Sequence, residues 1–349
     1  MSNNRCIDIY LDGLADLVAA VVVEEGGIEH EDTEALSLCL SRAHCEKMTS
    51  LDLLQQFADR YGIKWQNETP PLAALSYYYY HETRPRYVLF ADPVHLKPDR
   101  DHLVLFAPQS LDLSLAEANL LTSEIERCYQ EENWRLDCLS ADNWALTLTD
   151  DPGATFKTLA QVTGKSVGAS LPSGQNSKQW RVIGNEIQML LNNHPVNRAR
   201  EQAGRLTANS VWFWGGGSLP DEVKPASGAS NERLWTNHSG FAGLGKLAGL
   251  SVSELPADVS LCLEDFPGQT QGFIYINRVD GGNTPNERLS KKQSLQALNT
   301  LWIAPLLDAM TKDKITQLRI FDDRGRSFRL DKKHLRRWWK RPRDLTTFF

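Results

Sequence analysis

Apolar and polar positions along this chain repeat with two periods, and the switches between them mark out its elements. Cys6 to Leu11 reads as a first strand, and Leu14, Leu17, Val18 and Val21 follow at helical spacing with Asp12 as the expected N-cap. Thr33 to Tyr61 is helical in pattern. It is expected in two pieces, because Thr49-Ser50-Leu51-Asp52 offers a capping box for a second helix through Arg60, with Gly62 as its stop. Tyr77 to Tyr80 are expected to place alternate rings on opposite faces of an extended segment. Arg86 to Leu96 and His102 to Phe106 pattern as antiparallel strands, Leu115 to Glu131 as an amphipathic helix, and Trp134 to Cys138 with Trp144 to Thr149 as a second strand pair. Gln179 to Asn193 is a helix with Trp180, Ile183, Ile187, Leu190 and Leu191 on one face.

Val211 to Trp214 is wholly apolar, β-branched and aromatic, which suits a strand buried on both faces of an α/β sheet. Gly215, Gly216 and Gly217 follow where the ligand crevice of such a sheet lies. Leu219 to Glu232 is a surface loop, and Gly240 to Leu250 a glycine-rich helix packed closely on the sheet. Val259 to Glu264, Gly272 to Val279 and Ile315 to Phe321 read as returning strands, with a long helix from Ser290 to Met310 bent by Pro305. Asp323-Arg324-Gly325 then turns a hairpin into Ser327 to Leu330. Strands and helices in this order predict an α/β protein: a mixed sheet core flanked by helices, with an inserted smaller α+β subdomain. The expected division is 1–85 with 209–330 as the core, 86–208 as the insertion and 331–349 as a basic C-terminal helix or tail.

Composition changes this picture in few places. A chain of 349 residues with 41% hydrophobic and 23% charged residues is an ordinary soluble protein able to bury a large core. The apolar run Leu17 to Val23 is too short to span a bilayer, and Asp8, Asp12 and Asp16 stand where a signal peptide needs a basic start. A cytoplasmic protein with no membrane partner is expected. Six cysteines without C-x-x-C spacing signal neither zinc nor a disulfide framework, so they are read as reduced, buried thiols. Between Lys332 and Arg343 lie seven basic side chains and no acidic one; taking these seven from the net charge of −6 leaves −13 on the rest. The acidic body argues against general nucleic-acid binding. The tail is expected to form an amphipathic helix started by Asp331, with Leu335, Trp338 and Trp339 against the protein, and the alternative is a tail that contacts nucleic acid, an anionic surface or an acidic protein partner.

The candidate chemistry gathers around the glycines. His194, Asn197, Arg198 and Arg200 precede them, and guanidiniums beside a backbone nest hold a phosphate or carboxylate, so a small phosphorylated or carboxylate ligand is expected with Gly215, Gly216 and Gly217. The plain alternative is a tight turn with no ligand. Asp92 and His95 form a second polar cluster at a strand end, where the alternative for His95 is a side chain satisfied by its own turn.

His194-Pro195-Val196-Asn197 with Arg200, Gly204, Ala208-Asn209 and the glycine-ended strand resembles the matching segment of archaeal-type cofactor-independent phosphoglycerate mutases. With Ala91-Asp92-Pro93-Val94-His95-Leu96 and Asn185 to Leu191, the pattern is closer still to the RpfE-type regulatory proteins of proteobacteria, which resemble those mutases. The resemblance runs from near Pro71 to near Leu330. It implies an alkaline-phosphatase-like core whose active members use two metal ions and a hydroxyl nucleophile, with Asp12, Asp280, Asp322 and Asp323 as candidate ligands for a divalent cation, magnesium or manganese. No other cofactor is implied. The chain departs from the mutases where chemistry is expected: Pro70 and Pro71 replace the Gly-Ser-Asp of the nucleophile, Asp322-Asp323 replaces an Asp-His pair, no histidine lies between His238 and His334, and Trp214 replaces a phosphate-binding arginine. The resemblance with these departures implies a catalytically degenerate regulatory or anion-binding protein. The alternatives are a working metal-dependent phosphomutase or phosphatase, and an interaction protein that uses its basic tail.

Overall fold

A computed structural model describes residues 5–66, 69–99, 102–221, 223, 229–264, 266, 271–277 and 289–349. The chain begins β1 (Cys6–Leu11), α1 (Leu14–Glu24), α2 (His30–Arg42), β2 (His44–Lys47), α3 (Leu53–Arg60) and α4 (Leu72–His81). It continues β3 (Tyr87–Asp99), β4 (His102–Phe106), α5 (Leu115–Cys128), β5 (Arg135–Cys138), β6 (Trp144–Leu148), α6 (Leu159–Val162), α7 (Ser177–Asn192), α8 (Pro195–Gln202) and β7 (Ser210–Gly217). It ends β8 (Arg233–Trp235), α9 (Ser239–Ala248), β9 (Ser251–Ser253), α10 (Val259–Glu264), β10 (Gln271–Ile276), α11 (Lys291–Ala297), α12 (Ala304–Thr311), β11 (Gln317–Asp322), β12 (Arg326–Asp331) and α13 (Lys332–Leu335). Two compact units result, Met1–Lys64 with Glu222–Phe349, and Trp65–Asp221.

In the first unit the described strands pair in the order β2-β12-β11-β1-β10-β8-β9. β11, β1, β10, β8 and β9 are parallel, and β12 and β2 add an antiparallel edge. The period-2 pattern of the three central strands divides the sheet into two unlike faces. Ile7, Ile9, Leu11, Ile274, Ile276, Leu318 and Ile320 pack with α1, α2, α11 and α12 in an aliphatic core. Tyr10, Phe273, Tyr275 and Phe321 fill the other face with Phe57 of α3 and Phe241 of α9; Tyr10 stacks on Phe321 at 4.4 Å and Phe241 on Tyr275 at 3.8 Å. Within this aromatic layer Asp8 is fully buried, bonded to Arg319 at 2.8 Å and to Arg60 at 3.4 Å.

The second unit is antiparallel. The long strand β3 pairs with β6, β4 and β7, and β5 continues from β6. One face carries Leu89, Phe213 and Trp144 against Leu121 and Ile125 of α5 and Trp180, Ile183 and Ile187 of α7. The other buries Val94, Leu105 and Trp212 against Val162 and Val167.

A mixed sheet flanked by helices, with a second α+β unit, is the fold class expected, but several elements differ from their sequence patterns. β7 belongs to the antiparallel sheet, not to the core, because cover on both faces by helices and loops makes an antiparallel strand as apolar as a parallel one. The unit boundaries accordingly fall at 64/65 and 221/222, where 85 and 209 were expected. Tyr77 to Tyr80 lie in helix α4, where Leu72, Ala73, Ala74 and Leu75 favour helix, and a lone tyrosine repeat has no period of its own. Val259–Glu264 is a helix that buries Val259 and Cys262, a spacing of three that its apolar run conceals. Leu298–Ile303 is π-helical between α11 and α12, just before Pro305. α1 starts at a left-handed Gly13, and α3 is capped by Asp52 alone; Thr33 to Tyr61 does form two helices, α2 and α3, as expected, but the short strand β2 lies between them. Cys39 and Cys262 are buried as expected, whereas Cys45 and Cys128 are exposed. Most consequentially, α13 is a single turn, and Trp338 and Trp339 are 79% and 64% exposed instead of packed.

Two glycines test this packing with opposite signs. A Cβ on Gly272 of β10 would lie 2.7 Å from both Ile7 and Phe266 side chains, so Gly272→Ala is expected to destabilise the first unit by about 1 to 3 kcal/mol. Gly184, inside α7, meets nothing within 4 Å, and Gly184→Ala is expected to stabilise the second unit by about 0.5 to 1 kcal/mol. Urea midpoints of the two variants check both.

Candidate functional site

Because β1, β10, β11 and β8 are parallel, the loops that follow them share one edge of the sheet, the position where open α/β sheets place their ligands. The chain leaves β1 through Asp12 and Gly13, whose φ of 76° suits glycine. Asp12 N donates to Ile276 O at 3.1 Å, and Gly13 N donates to Asp323 Oδ2 at 3.1 Å, which stitches the loops after β1, β10 and β11 together. The Tyr275 hydroxyl donates to Asp12 Oδ2 at 3.2 Å. Burial raises the Tyr275 phenol well above its ordinary value and the carboxylates of Asp12, Asp52 and Asp323 add to it, so the group remains a donor across the working pH range. Burial also pushes the Asp323 carboxyl up, and its Oδ1 is buried with no hydrogen-bond partner among the described residues.

His238 closes the edge beyond β8. Its ring lies 5.3 Å from that of Tyr275, and its Nδ1 accepts the Phe241 N–H at 3.2 Å as the N-cap of α9. Burial lowers its pKa to about 4, so the ring is neutral, with its proton on Nε2. Tyr275 and His238 were missed in the sequence. Tyr275 shows only as the alternate partner of the aliphatic positions Ile274 and Ile276, and His238 only as a polar residue three before Phe241, a cap spacing that histidine fills less often than serine or aspartate.

The expected metal ligands do not all converge. Asp12 and Asp323 lie together, but Asp322 is fully buried and saturated elsewhere: its Oδ2 accepts Arg326 Nε and Nη2 at 2.8 and 2.6 Å, and its Oδ1 accepts the N–H groups of Arg324 and Arg326 at 3.1 and 2.9 Å. The strand alternation explains this, since Asp322 shares a face with Ile320 whereas Asp323 begins the turn. Asp280 lies outside the described residues. Among the described residues no group of three or more His, Cys, Asp or Glu side chains is arranged to hold a metal ion. The two carboxylates and the phenol that the described residues bring together do not by themselves fit a pair of ions about 4 Å apart, which requires several ligands on each.

The motif around His194 is a structural clasp. His194 Nδ1 accepts the Val196 N–H at 3.2 Å and caps α8. Asn197, almost fully buried, donates to Leu191 O and Ala208 O, each at 2.8 Å, and accepts the Ala208 N–H at 3.0 Å, tying α7, α8 and the entry to β7. Arg200 is 2% exposed, paired with Glu117 at 2.9 and 3.0 Å and donating to the carbonyls of Leu206 and Leu111. Burial would raise the Glu117 carboxyl, but bonds from Ser114 and Arg200 hold it below its usual range. Arg198 is exposed.

The glycines sit at the far end of the strand from this clasp. From Ala208 to Gly215 is seven residues, roughly 23 Å of extended chain, so Arg200 and the glycines do not form one anion site. Gly215 has φ 65°, a Cβ on Gly216 would meet Leu89 and Tyr87 at 2.8 Å, and one on Gly217 would meet Pro71 at 2.6 Å. The close approach that needs glycine is made by the protein's own β3 and α4, not by a ligand. A cavity of about 120 Å³ beside Gly217 is lined by Tyr87, Pro71 and Asp151 among others, and its carboxylate repels anions.

Asp92 and His95 are likewise structural. Asp92 is fully buried in β3 and accepts Trp144 N at 2.9 Å, Trp214 Nε1 at 2.7 Å and Asn143 Nδ2 at 3.3 Å, joining β6 to β7; burial raises its pKa to about 7. His95 Nδ1 contacts Thr207 O at 2.9 Å, while Asn209 bonds both backbone groups of Leu96.

Two outcomes follow. Arg200→Met leaves the buried carbonyls of Leu111 and Leu206 without their donor and takes one partner from Glu117, which keeps its bonds from Ser114, and is expected to cost about 1 to 3 kcal/mol of stability in the second unit with no change in phosphate binding, read by urea melts and phosphate titration. For His238 burial sets the folded pKa below the unfolded one, so stability is fully present above pH about 6.5 and is lost as pH falls toward about 4, where charging the buried ring also removes its acceptor at Nδ1. His238→Asn keeps a cap without titrating and is expected to abolish that pH slope, measured as protection of α9 amides at pH 7 and pH 5.

No family model matches the chain. It is 22% identical over 244 residues to a probable 2,3-bisphosphoglycerate-independent phosphoglycerate mutase of Geobacter sulfurreducens, covering 63% of this chain and 58% of that protein. It is 29% identical over 167 residues to the 2,3-bisphosphoglycerate-independent phosphoglycerate mutase of Methanothrix thermoacetophila, covering 43% and 42%. The match therefore spans about half the length of these curated relatives. Among solved structures, the cofactor-independent phosphoglycerate mutase of Thermoplasma acidophilum aligns with 98% of this chain and 94% of its own, at 14% identity and a TM-score of 0.48. The chain is thus similar, at low identity and over part of its length, to cofactor-independent phosphoglycerate mutases.

Proposed function

We propose that this chain is a phosphoglycerate-mutase-like protein that keeps an acidic site at the carboxyl edge of its parallel sheet but uses it without phosphoryl turnover, in a regulatory role. The observation that carries this reading is Asp322: a guanidinium and two backbone N–H groups already supply the positive charge and hydrogen bonds that a metal ion would otherwise provide. His238 is committed to a helix cap through Nδ1, and the Pro70-Pro71 segment offers no hydroxyl at the nucleophile's place in the resemblance. Fold likeness to an enzyme does not by itself carry activity. The anion site expected at Arg200 and the glycines forms no part of this reading.

A second reading, a working metal-dependent phosphomutase or phosphatase, is favoured by one feature. Asp323 Oδ1 is buried beside Asp12 and Tyr275 with no hydrogen-bond partner among the described residues, and a hard cation would satisfy it. The curated relatives are named as mutases, which points the same way.

The purified protein, supplied with manganese or magnesium, is expected to convert 3-phosphoglycerate no faster than a no-enzyme control and to retain no stoichiometric metal after dialysis. Turnover that chelator removes and that Asp12→Asn abolishes would establish the second reading instead.

A further inference from the structure

The exposed tryptophans of the C-terminal segment stand on an anchored support. Leu335 packs on the aliphatic core and Leu345 is buried in it, so the chain between them is fixed at both ends. Arg42 of α2 donates to Leu335 O at 2.6 Å and to Lys340 O at 3.3 Å, Arg337 returns a bond to Arg42 O at 3.1 Å, and Arg343 N donates to Ser41 Oγ at 3.0 Å. Trp338 and Trp339 form the tip of this turn, edge to face with ring centres 6.1 Å apart. Two indoles held outward by a pinned turn are a large apolar surface left in water, the mark of a contact surface. Cations flank the tip on both sides. Lys332 pairs with Asp313, but Lys333, Arg336, Lys340, Arg341 and Arg343 have no carboxylate partner among the described residues.

We propose that this tip docks on an anionic lipid surface, with the indoles at the headgroup boundary and the flanking Lys and Arg on the lipid phosphates. Charge complementarity selects a polyanion, and the shape selects among polyanions. The indole planes stand at 86° to each other on an exposed turn, whereas a groove that binds single strands offers aromatic faces on which successive bases stack. Indoles have an apolar body and one N–H donor, which suits the interface of a bilayer, and basic clusters are drawn to anionic leaflets. Peripheral contact needs no spanning segment, so the lack of an apolar span, from which no membrane partner is expected, does not bear on it. Among the described residues no helix is long and apolar enough to cross a membrane. Screening over a Debye length of about 8 Å lets a basic tip engage while the acidic body stays outside its field.

Co-sedimentation of the full chain with phosphatidylcholine vesicles, alone and mixed with phosphatidylglycerol, tests this. The protein is expected to bind the mixed vesicles and not the neutral ones, with binding lost as salt is raised. Arg336→Ala with Arg341→Ala lowers partitioning about thirtyfold, the worth of two basic side chains at an anionic surface. Trp338→Ala with Trp339→Ala lowers it about tenfold or more while melting like the parent, which shows that the loss is not unfolding. No association with the mixed vesicles, or equal association by the tryptophan variant, overturns the proposal. Tighter binding to a single-stranded oligonucleotide than to the vesicles, lost in the same variant, overturns it in favour of nucleic acid.

Discussion

Asp8, a carboxylate with no solvent exposure in the middle of a parallel sheet, fixes how the first unit is assembled. Its partners Arg319 and Arg60 lie on the aromatic face, each guanidinium also within 6 Å of a phenyl ring, Phe321 and Phe273 respectively. A slip of one residue in β1 would turn Asp8 into the aliphatic core and separate it from both cations, at a cost of several kcal/mol for an unpaired buried charge. The ion pair therefore acts mainly on register. Once register is set, Tyr10 meets Phe321, Ile9 meets Ile274 and Ile320, and the strand ends Leu11, Ile276 and Asp322 are level.

That levelling decides the chemistry of the sheet edge. Asp12 continues the face of Asp8 and Tyr10, so it emerges beside Tyr275, and the turn after β11 swings Asp323 to the Gly13 amide. Asp322 is one residue earlier, belongs to the aliphatic face, and needs a cation of its own to be buried there; Arg326, its cross-strand partner in β12, supplies it. Adjacent aspartates thus reach opposite fates through strand alternation alone. A cluster that reads as four equivalent acids in one dimension becomes two neighbours, one neutralised strut and one residue outside the described chain.

The second unit teaches a related lesson about motifs. The segment from His194 through Asn209, on which the sequence-based resemblance rests, is made of caps and side-chain-to-backbone bonds that seat α8 against β7 and β3. Residues of such a clasp resist change because each satisfies buried polar groups. A motif of this kind reports architecture, and chemistry has to be read from the sheet edge of the other unit.

By itself the sequence determined most elements and their faces. Apolar runs marked β1, β10 and β11, the stripe of Trp180, Ile183 and Ile187 marked α7, and Asp323-Arg324-Gly325 marked the last hairpin, because each signal is local. Only tertiary structure decided the rest. Strand β7 is apolar on both faces, and such a run carries no information on whether its neighbours are parallel or antiparallel, so its glycines were assigned to the wrong kind of crevice. Arg200 has a positive charge in any sequence, but whether that charge awaits a ligand or is spent on Glu117, eighty-three residues away, depends on a long-range contact. The tryptophans of the tail show the same limit in reverse: amphipathic spacing predicts burial only if the helix persists. Here Arg42 takes the Leu335 carbonyl, the helix stops after one turn, and the rings that spacing would bury are left facing water.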